Sequence, residues 1–188
     1  MANPHNPNNP IAVRHRSKGK LVAEHNRDFN KIQDICDLFG FQVQYSEFVR
    51  NGKTYFRYQG CEGAMPYTTK GVTNTDANIT IEAGTGIEIW WPRNIEKLNG
   101  EWVEANPKEK YWINEIEQND DLILECPEEK SKRKDHVKGF PEGDVFRVVI
   151  ADYPRIGYSF LGVYKMDKEE SQKLKRAVWR RISKEFVF

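Results

Sequence analysis

The sequence predicts an α+β fold with a curved, mainly antiparallel sheet, or a small barrel, of about seven or eight strands flanked by two or three helices. Three observations support this prediction. Apolar residues recur at every second position in several short segments, whereas helical spacing occurs in only a few. Gly, Pro and Asn lie between these segments, where they favour turns. The chain of 188 residues is long enough for one medium domain with its own core.

The composition is that of a globular protein. Hydrophobic residues make up 38% of the chain and charged residues 30%, with a net charge of +1. The three cysteines form no Cys-x-x-Cys pair and the four histidines have no zinc-binding spacing, so we expect no disulfide framework, no metal site and no cofactor. Because no apolar run resembles a signal peptide or a membrane span, we expect a cytoplasmic location and no membrane partner.

Residues 1 to about 24 combine an Asn/Pro-rich stretch with a cluster of basic residues between Arg14 and Lys20. This segment offers little to bury, which predicts a flexible basic N-terminal arm. The arm could dock on phosphates, or it could simply remain solvated. Residues 25–188 are then the single α+β domain.

The first predicted helix begins near Asn26 or Asp28 and ends at Gly40, and its apolar residues lie three or four positions apart. From Phe41 the apolar period changes to two. The Asn51-Gly52 pair that follows is typical of the tight turn of a β-hairpin. We therefore expect one packed helix followed by a hairpin.

The segment from Gly60 to Asn78 is rich in Gly, Thr and Asn, and we expect it to be irregular. Residues 79–82 and 87–91 then predict two strands that pair with each other through a glycine-containing turn. Adjacent residues of a strand point to opposite faces, so Trp90 and Trp91 cannot share one. Trp90 lies either on a half-polar surface, where it could stack a base, or beneath another layer.

A further turn is predicted at Leu98–Glu101. A helix is predicted from Asn106, with Pro107 at its first helical position and a buried stripe that includes Trp112. The acidic run from Glu115 to Glu129, and the basic residues directly after it, predict a solvated loop.

The two most apolar predicted strands are Asp144–Asp152 and Tyr158–Met166, which we expect at the centre of the sheet. Two alternatives remain for the segment after them. It is either a helix capped by Asp167 that continues to Lys184, or a connector followed by a strand over 177–183. The sequence favours a helix through about Arg176 and leaves the rest undecided. A continuous helix would align four cations on one side, namely Lys173, Arg176, Arg180 and Lys184.

The strand Tyr158-Ser-Phe-Leu-Gly-Val-Tyr-Lys-Met166 and the later Ala177-Val-Trp-Arg-Arg-Ile182 resemble a conserved part of SRA domains. Those domains carry Tyr-x-aromatic-x-Gly-aliphatic-Tyr-Lys/Arg, a charged connector and an aliphatic-Trp-Arg segment. The related PUA-like barrels would also suit the number of strands. The resemblance implies recognition of a modified cytosine that is flipped out of DNA, sometimes within a restriction system.

A flipped base needs an aromatic ring for stacking and a carboxylate or amide that reads its edge. Asp152 and Tyr153 lie together at a predicted strand end and could supply both, with Trp90 as a further stacking ring. Asp-Tyr-Pro is also ordinary turn chemistry. Cations that could bind the phosphates are Arg155, Lys173, Arg176, Arg180 and Lys184.

Three hypotheses for function follow. The first is a DNA-binding module, acting on double-stranded DNA, that reads a modified cytosine in a restriction or phage-defence pathway. The second is a protein-interaction domain, an inhibitor or adaptor, that presents its acidic run to a basic partner. The third is a metal-dependent nuclease whose residues would be Asp121, Glu125, Glu128 and Lys130. No motif for a catalytic nucleophile is present, so the sequence favours a protein that is not an enzyme, and we assign no catalytic residue.

Overall fold

The computed structural model describes residues 19–24, 28–41, 44–59, 64–74, 79–92, 96–98, 101–103, 112–117, 119–127, 142–153 and 157–188. These ranges contain two helices, α1 (Ile32–Phe39) and α2 (Lys168–Leu174). The first nine strands are β1 (Lys20–Val22), β2 (Gln44–Arg50), β3 (Lys53–Gln59), β4 (Ala64–Thr68), β5 (Val72–Asn74), β6 (Ile79–Ile81), β7 (Gly86–Trp90), β8 (Glu96–Leu98) and β9 (Glu101–Val103). The remaining six are β10 (Trp112–Glu117), β11 (Leu122–Pro127), β12 (Phe146–Tyr153), β13 (Gly157–Met166), β14 (Ala177–Ser183) and β15 (Glu185–Val187). The prediction of an α+β fold is confirmed.

The main sheet has seven strands in the order β10-β11-β14-β13-β12-β7-β4. All neighbours are antiparallel except β7 and β12, which run parallel. Across the described residues the sheet is open, so the small-barrel alternative does not hold. The two most apolar predicted strands are β12 and β13 and lie near the centre of the sheet, as expected.

The central strands are buried on both faces. Four consecutive residues of β12, Val148 to Ala151, are each 0% exposed. On one face, which we call the helix face, Val148 and Ile150 pack with residues of α1 and of the small β1–β15 and β5–β6 sheets. On the other face, Val149 and Ala151 pack around Trp179. Burial on both faces explains why these strands read as continuous apolar runs.

The strand pairing around residues 60–90 differs from the prediction. Strand β6 pairs with β5, whereas β7 pairs with β4 and β12, so the expected hairpin between β6 and β7 is wrong. The segment 60–78, expected to be irregular, also contains both β4 and β5. The chain turns back between Thr69 and Thr85, whose backbones are hydrogen-bonded, and the positive φ of Gly71 breaks the strand there. Because Gly71 interrupts the alternation of apolar and polar residues, the sequence pattern predicted neither β4 nor β5.

The helix predicted from Asn106 is also wrong where the structure describes it, because Trp112–Glu117 is strand β10. Its apolar residues fit either helical or strand spacing, and antiparallel pairing with β11 decides between them. The predicted acidic loop is wrong as well, since β11 lies within it and Glu125 is buried. Residues 104–111 and 128–141, which include the predicted helix start, lie outside the described residues.

The predicted helix end at Gly40 and the predicted hairpin turn at Asn51-Gly52 are both present in the structure. Gly40 ends α1 in the left-handed conformation, although the helix begins later than predicted, at Ile32. The hairpin of β2 and β3 is confirmed, with Asn51 and Gly52 at φ 54° and 71°. Strand β1 pairs with β15, and Leu21 is buried, so the domain includes residues that were expected in the N-terminal arm. Residues 1–18 lie outside the described part of the chain.

The segment after β13 follows the second of its two alternatives. Asp167 caps α2 through a hydrogen bond from the backbone N–H of Glu170, as predicted, but α2 ends at Leu174. Residues 177–183 are strand β14, which pairs with β11 and β13. The four cations therefore do not lie along one helix.

Gly162 is required by a close crossing of β13 and β14. Its φ is +136°, and a Cβ at this position would lie 2.5 Å from the carbonyl oxygen of Ser183 and 2.6 Å from Cδ of Arg181. The register of β13 shifts by one residue next to Gly162 on both sides, toward β12 and toward β14. Such shifts bend a strand and increase its twist. Glycine alone fits this bend.

We predict that Gly162→Ala destabilises the fold by at least about 2 kcal/mol, because it adds a backbone clash to an unfavourable φ. Gly84→Ala is the matched control: Gly84 also has a positive φ, +91°, but a Cβ there meets nothing within 4 Å. Urea unfolding of the two variants measures the difference. Equal destabilisation by the two substitutions would show that the close crossing does not require glycine.

Candidate nucleic-acid interface

The segment before α1 holds the start of β13 in place. The carboxylate of Asp28, which is 2% exposed, accepts a hydrogen bond of 2.8 Å from the backbone N–H of Phe160. The backbone N–H groups of Asp28 and Phe29 both donate to the carbonyl oxygen of Tyr158 at 3.0 Å, and Tyr158 donates back to Phe29 at 2.9 Å. We call these contacts the Asp28 clamp. They fix the backbone next to the connection between β12 and β13.

Asp152 and Tyr153 are the last two residues of β12. In the antiparallel ladder Asp152 lies opposite Tyr158, and Tyr153 lies opposite Gly157. Both backbones are therefore at a strand end, as expected from the sequence, and next to the Asp28 clamp. Their side chains, and the whole of Arg155, lie outside the described residues.

Trp90 is covered. Its side chain is 6% exposed, its ring centroid lies 5.8 Å from that of Trp179, and the guanidinium carbon of Arg147 lies 4.6 Å from its ring. Of the two alternatives for Trp90, the covered one holds, and the contacts described here come from Arg147 and Trp179 on other strands of the same sheet. In this position Trp90 has no open face on which a base could stack.

Arg147 is the centre of this group of residues, which we call the tryptophan cluster. Its guanidinium also lies 4.2 Å from the ring of Trp179, and it pairs with Glu88 at 2.7 Å and with Glu125 at 3.2 Å. The same oxygen of Glu125 accepts a hydrogen bond of 3.0 Å from the indole N–H of Trp179. The cluster joins β7, β11, β12 and β14, so its first consequence is to hold the sheet together.

Sequence reasoning missed the tryptophan cluster. It placed Glu125 in a solvated loop, or among the residues of a nuclease, and gave Arg147 no role. The available signal was that both charged residues interrupt apolar strands, where a charge is tolerated only with a partner.

Arg147 lies five residues before Asp152 on β12, a separation of about 17 Å at strand rise. The cluster and the predicted base-reading pair are therefore at opposite ends of the strand.

Three of the four cations that a continuous helix would have aligned are paired with carboxylates. Arg180 pairs with Asp167 at 2.7 Å, Arg176 with Glu115 at 3.3 Å, and Lys173 with Glu170 at 3.4 Å. The fourth, Lys184, is exposed and has no ion pair with a described residue. Arg180 follows Trp179 along β14, so it points to the helix face, away from the tryptophan cluster. The structure does not bring Trp90, Asp152 and these cations together.

The residues of the nuclease hypothesis are also engaged in the fold. Asp121 pairs with Arg181, and Glu125 belongs to the tryptophan cluster. Among the residues that the structure describes, no three His, Cys, Asp or Glu side chains are grouped to hold a metal ion. Glu128 and Lys130 lie outside those residues. For the acidic-face hypothesis, Glu115 and Glu125 are likewise paired with Arg176 and Arg147.

A family model for the SRA (SET and RING associated) domain matches residues 15–188. The chain therefore belongs to the SRA family, which is known for binding DNA that contains modified, methylated cytosine. The match extends far beyond the C-terminal strands that carry the sequence resemblance. No curated protein matches the chain. None of the helices described here is long and apolar enough to cross a membrane.

The ion pair between Asp167 and Arg180 predicts a pH dependence of stability. The hydrogen bond from Arg180, and that from the backbone of Glu170, lower the pKa of Asp167 below its ordinary value of 3.8, against a smaller effect of burial. A lowered pKa stabilises the folded state above the ordinary pKa, and this contribution is lost as the pH falls through the lowered value.

We predict that Asp167→Asn, which keeps a capping oxygen, costs about 0.2–1 kcal/mol at neutral pH because it removes the ion pair with Arg180. The difference from wild type should shrink as the pH falls below the ordinary carboxyl range. Urea unfolding at several pH values measures it, with Arg180→Gln as a control that should show the same trend. A difference that is constant with pH would contradict the assignment.

Proposed function

We propose that this chain recognises a modified cytosine that has been rotated out of double-stranded DNA, and that Asp152 and Tyr153 form part of the pocket. The observation that carries the proposal is the position of these two residues at the end of a central strand, directly beside the Asp28 clamp. Membership of the SRA family supports the choice of ligand. An aspartate can accept a hydrogen bond from the exocyclic amino group of cytosine, and a tyrosine ring can stack on the base.

A pocket for a flipped base must be rigid before it binds DNA. Extraction of a base from the duplex costs a few kcal/mol, so a pocket that also had to be ordered on binding would lose affinity. Residues Val148 to Ala151 of β12 are fully buried, and the Asp28 clamp fixes the first residues of β13 on the other side of the connection. These contacts favour a pocket whose floor is already ordered before DNA binds.

Phosphate contacts must offset part of the cost of extraction. We propose Arg155 and Lys184 for this role, since Arg155 lies just beyond Pro154 after the pocket pair and Lys184 is exposed. Lys173, Arg176 and Arg180 would have to exchange a carboxylate for a phosphate, which reduces the net gain. For Trp90 we propose a supporting role in the tryptophan cluster.

We further propose that the module acts in the cytoplasm, as the recognition part of a restriction or phage-defence pathway. The support is the sequence resemblance to SRA domains, some of which act in restriction systems. The protein-interaction and nuclease hypotheses receive no such support, because Glu115, Asp121 and Glu125 are already paired within the fold.

We predict that the wild-type chain binds a duplex with 5-methylcytosine or 5-hydroxymethylcytosine more tightly than the matched unmodified duplex, with an affinity that falls steeply as salt rises. Asp152→Asn and Tyr153→Ala should each weaken binding of the preferred duplex by about tenfold or more. Fluorescence anisotropy at two salt concentrations measures these affinities.

Two variants serve as controls. Tyr153→Phe keeps the ring and should retain most of the preference. Asp144→Asn removes an exposed aspartate before the other end of β12, where it pairs with Lys165, and should leave binding unchanged. Equal affinity of the wild type for all duplexes would reject recognition of a modified base. Full preference in Asp152→Asn and Tyr153→Ala would place the pocket elsewhere.

A further inference from the structure

Strands β2 and β3 form a two-stranded ribbon of their own. Among the described residues they pair only with each other, in an unbroken register from Gln44 opposite Gln59 to Arg50 opposite Lys53. The turn residues both have positive φ, as in the type I′ turns that match the twist of a hairpin. Seven residues per strand give a ribbon about 23 Å long.

The tip of this ribbon lies in solvent. The turn residues Asn51 and Gly52 are exposed, and a Cβ on Gly52 would meet nothing within 4 Å. Val49, close to the turn, is 71% exposed, which agrees with a tip that lies in solvent. The free end of the ribbon is therefore available for binding.

The register separates the charges of the ribbon. Positions that alternate along one strand, together with their cross-strand partners, share a face. The face defined by the pair Arg50 and Lys53 also includes the pair Ser46 and Arg57, so it carries three cations and no acid. On the other face Glu47 is the one charged position. We call the first the cationic face.

We propose that the cationic face of the β2–β3 ribbon binds double-stranded DNA, an inference that rests on the proposed function for its choice of partner. Three positive charges without an acid match the phosphate backbone. The major groove, about 12 Å wide, admits a two-stranded ribbon.

The ribbon follows the Asp28 clamp along the chain. Helix α1, eight residues and about 12 Å long, separates the Asp28 clamp from the segment that leads into β2. In our proposal one duplex contacts both the pocket beside the clamp and the ribbon. In this arrangement the pocket selects the base, and the ribbon adds affinity that is independent of modification.

The test compares the salt dependence of binding in a triple variant, Arg50→Gln, Lys53→Gln and Arg57→Gln, with that of the wild-type chain. Removal of one cation that binds a phosphate should make the slope of log Kobs against log salt shallower by about 0.9, so the slope of the triple variant should be shallower by up to about 2.7. Affinity should fall equally for modified and unmodified duplexes, because the pocket is unchanged. Thermal unfolding of each variant checks that the fold is intact.

Lys53→Gln and Thr54→Glu make a matched pair of single variants. They change neighbouring positions, they alter the net charge equally, and they lie on opposite faces of the ribbon. Lys53→Gln should weaken binding and reduce the slope, and Thr54→Glu should do so much less. Equal effects of the two variants would overturn the inference, as would an unchanged slope in the triple variant.

The same titrations separate this inference from the proposed function. If the wild type binds duplexes without any preference for modification, the flipped-base proposal fails, and the slope still decides the role of the ribbon. If the preference is present and the slope of the triple variant is unchanged, only the ribbon inference fails. A wild type that binds no duplex overturns both.

Discussion

The crossing of Arg181 over the central strand at Gly162 holds the two halves of the main sheet together. The guanidinium, 4% exposed, donates to the carbonyl oxygens of Leu161 at 3.0 Å and of Asn119 at 2.9 Å, and it pairs with Asp121. It thereby ties the turn between β10 and β11 to the bend in β13. Without a glycine at 162 the side chain could not pass. The bend, the crossing and the outer strands depend on one another.

This dependence gives a physical meaning to the segments that resemble SRA domains. The hydroxyl of Tyr164 donates a hydrogen bond to the backbone carbonyl of Asp120, which lies in the turn that Arg181 also contacts. Trp179 donates to the buried Glu125, and Gly162 makes room for Arg181. These residues of the pattern build the sheet, and none of them is free to contact a base. We therefore propose that recognition depends on the connections at the strand ends, which a rigid sheet positions.

The sequence predicted features that depend on neighbouring residues. The stop at Gly40, the cap at Asp167 and the central strands β12 and β13 all follow from local chemistry, and the structure has them. The predictions from sequence were wrong where contacts between residues far apart in the chain determine the structure. The segment around Trp112 is a strand because it pairs with β11. The charge of Arg176 is paired with Glu115, which lies 61 residues away in the chain.

The candidate site shows the same limit. The strand-end position of Asp152 and Tyr153 could be predicted from apolar runs on either side. The Asp28 clamp could not, because Asp28 and Phe160 are 132 residues apart and an aspartate before a helix is ordinary capping chemistry. The burial of Trp90 could not be predicted either, since it depends on Arg147 and Trp179, which come from two other strands.

The measurement that tests the central claim most directly is the fluorescence of 2-aminopurine placed next to the modified cytosine in a duplex. Rotation of the cytosine out of the stack removes one stacking neighbour of the probe, so the account predicts a rise in fluorescence when the wild-type chain binds. The rise should be much smaller with the unmodified duplex and with the Asp152→Asn variant. Tight binding to the methylated duplex without any rise would contradict the account, because it would mean that the base is read while it remains in the helix.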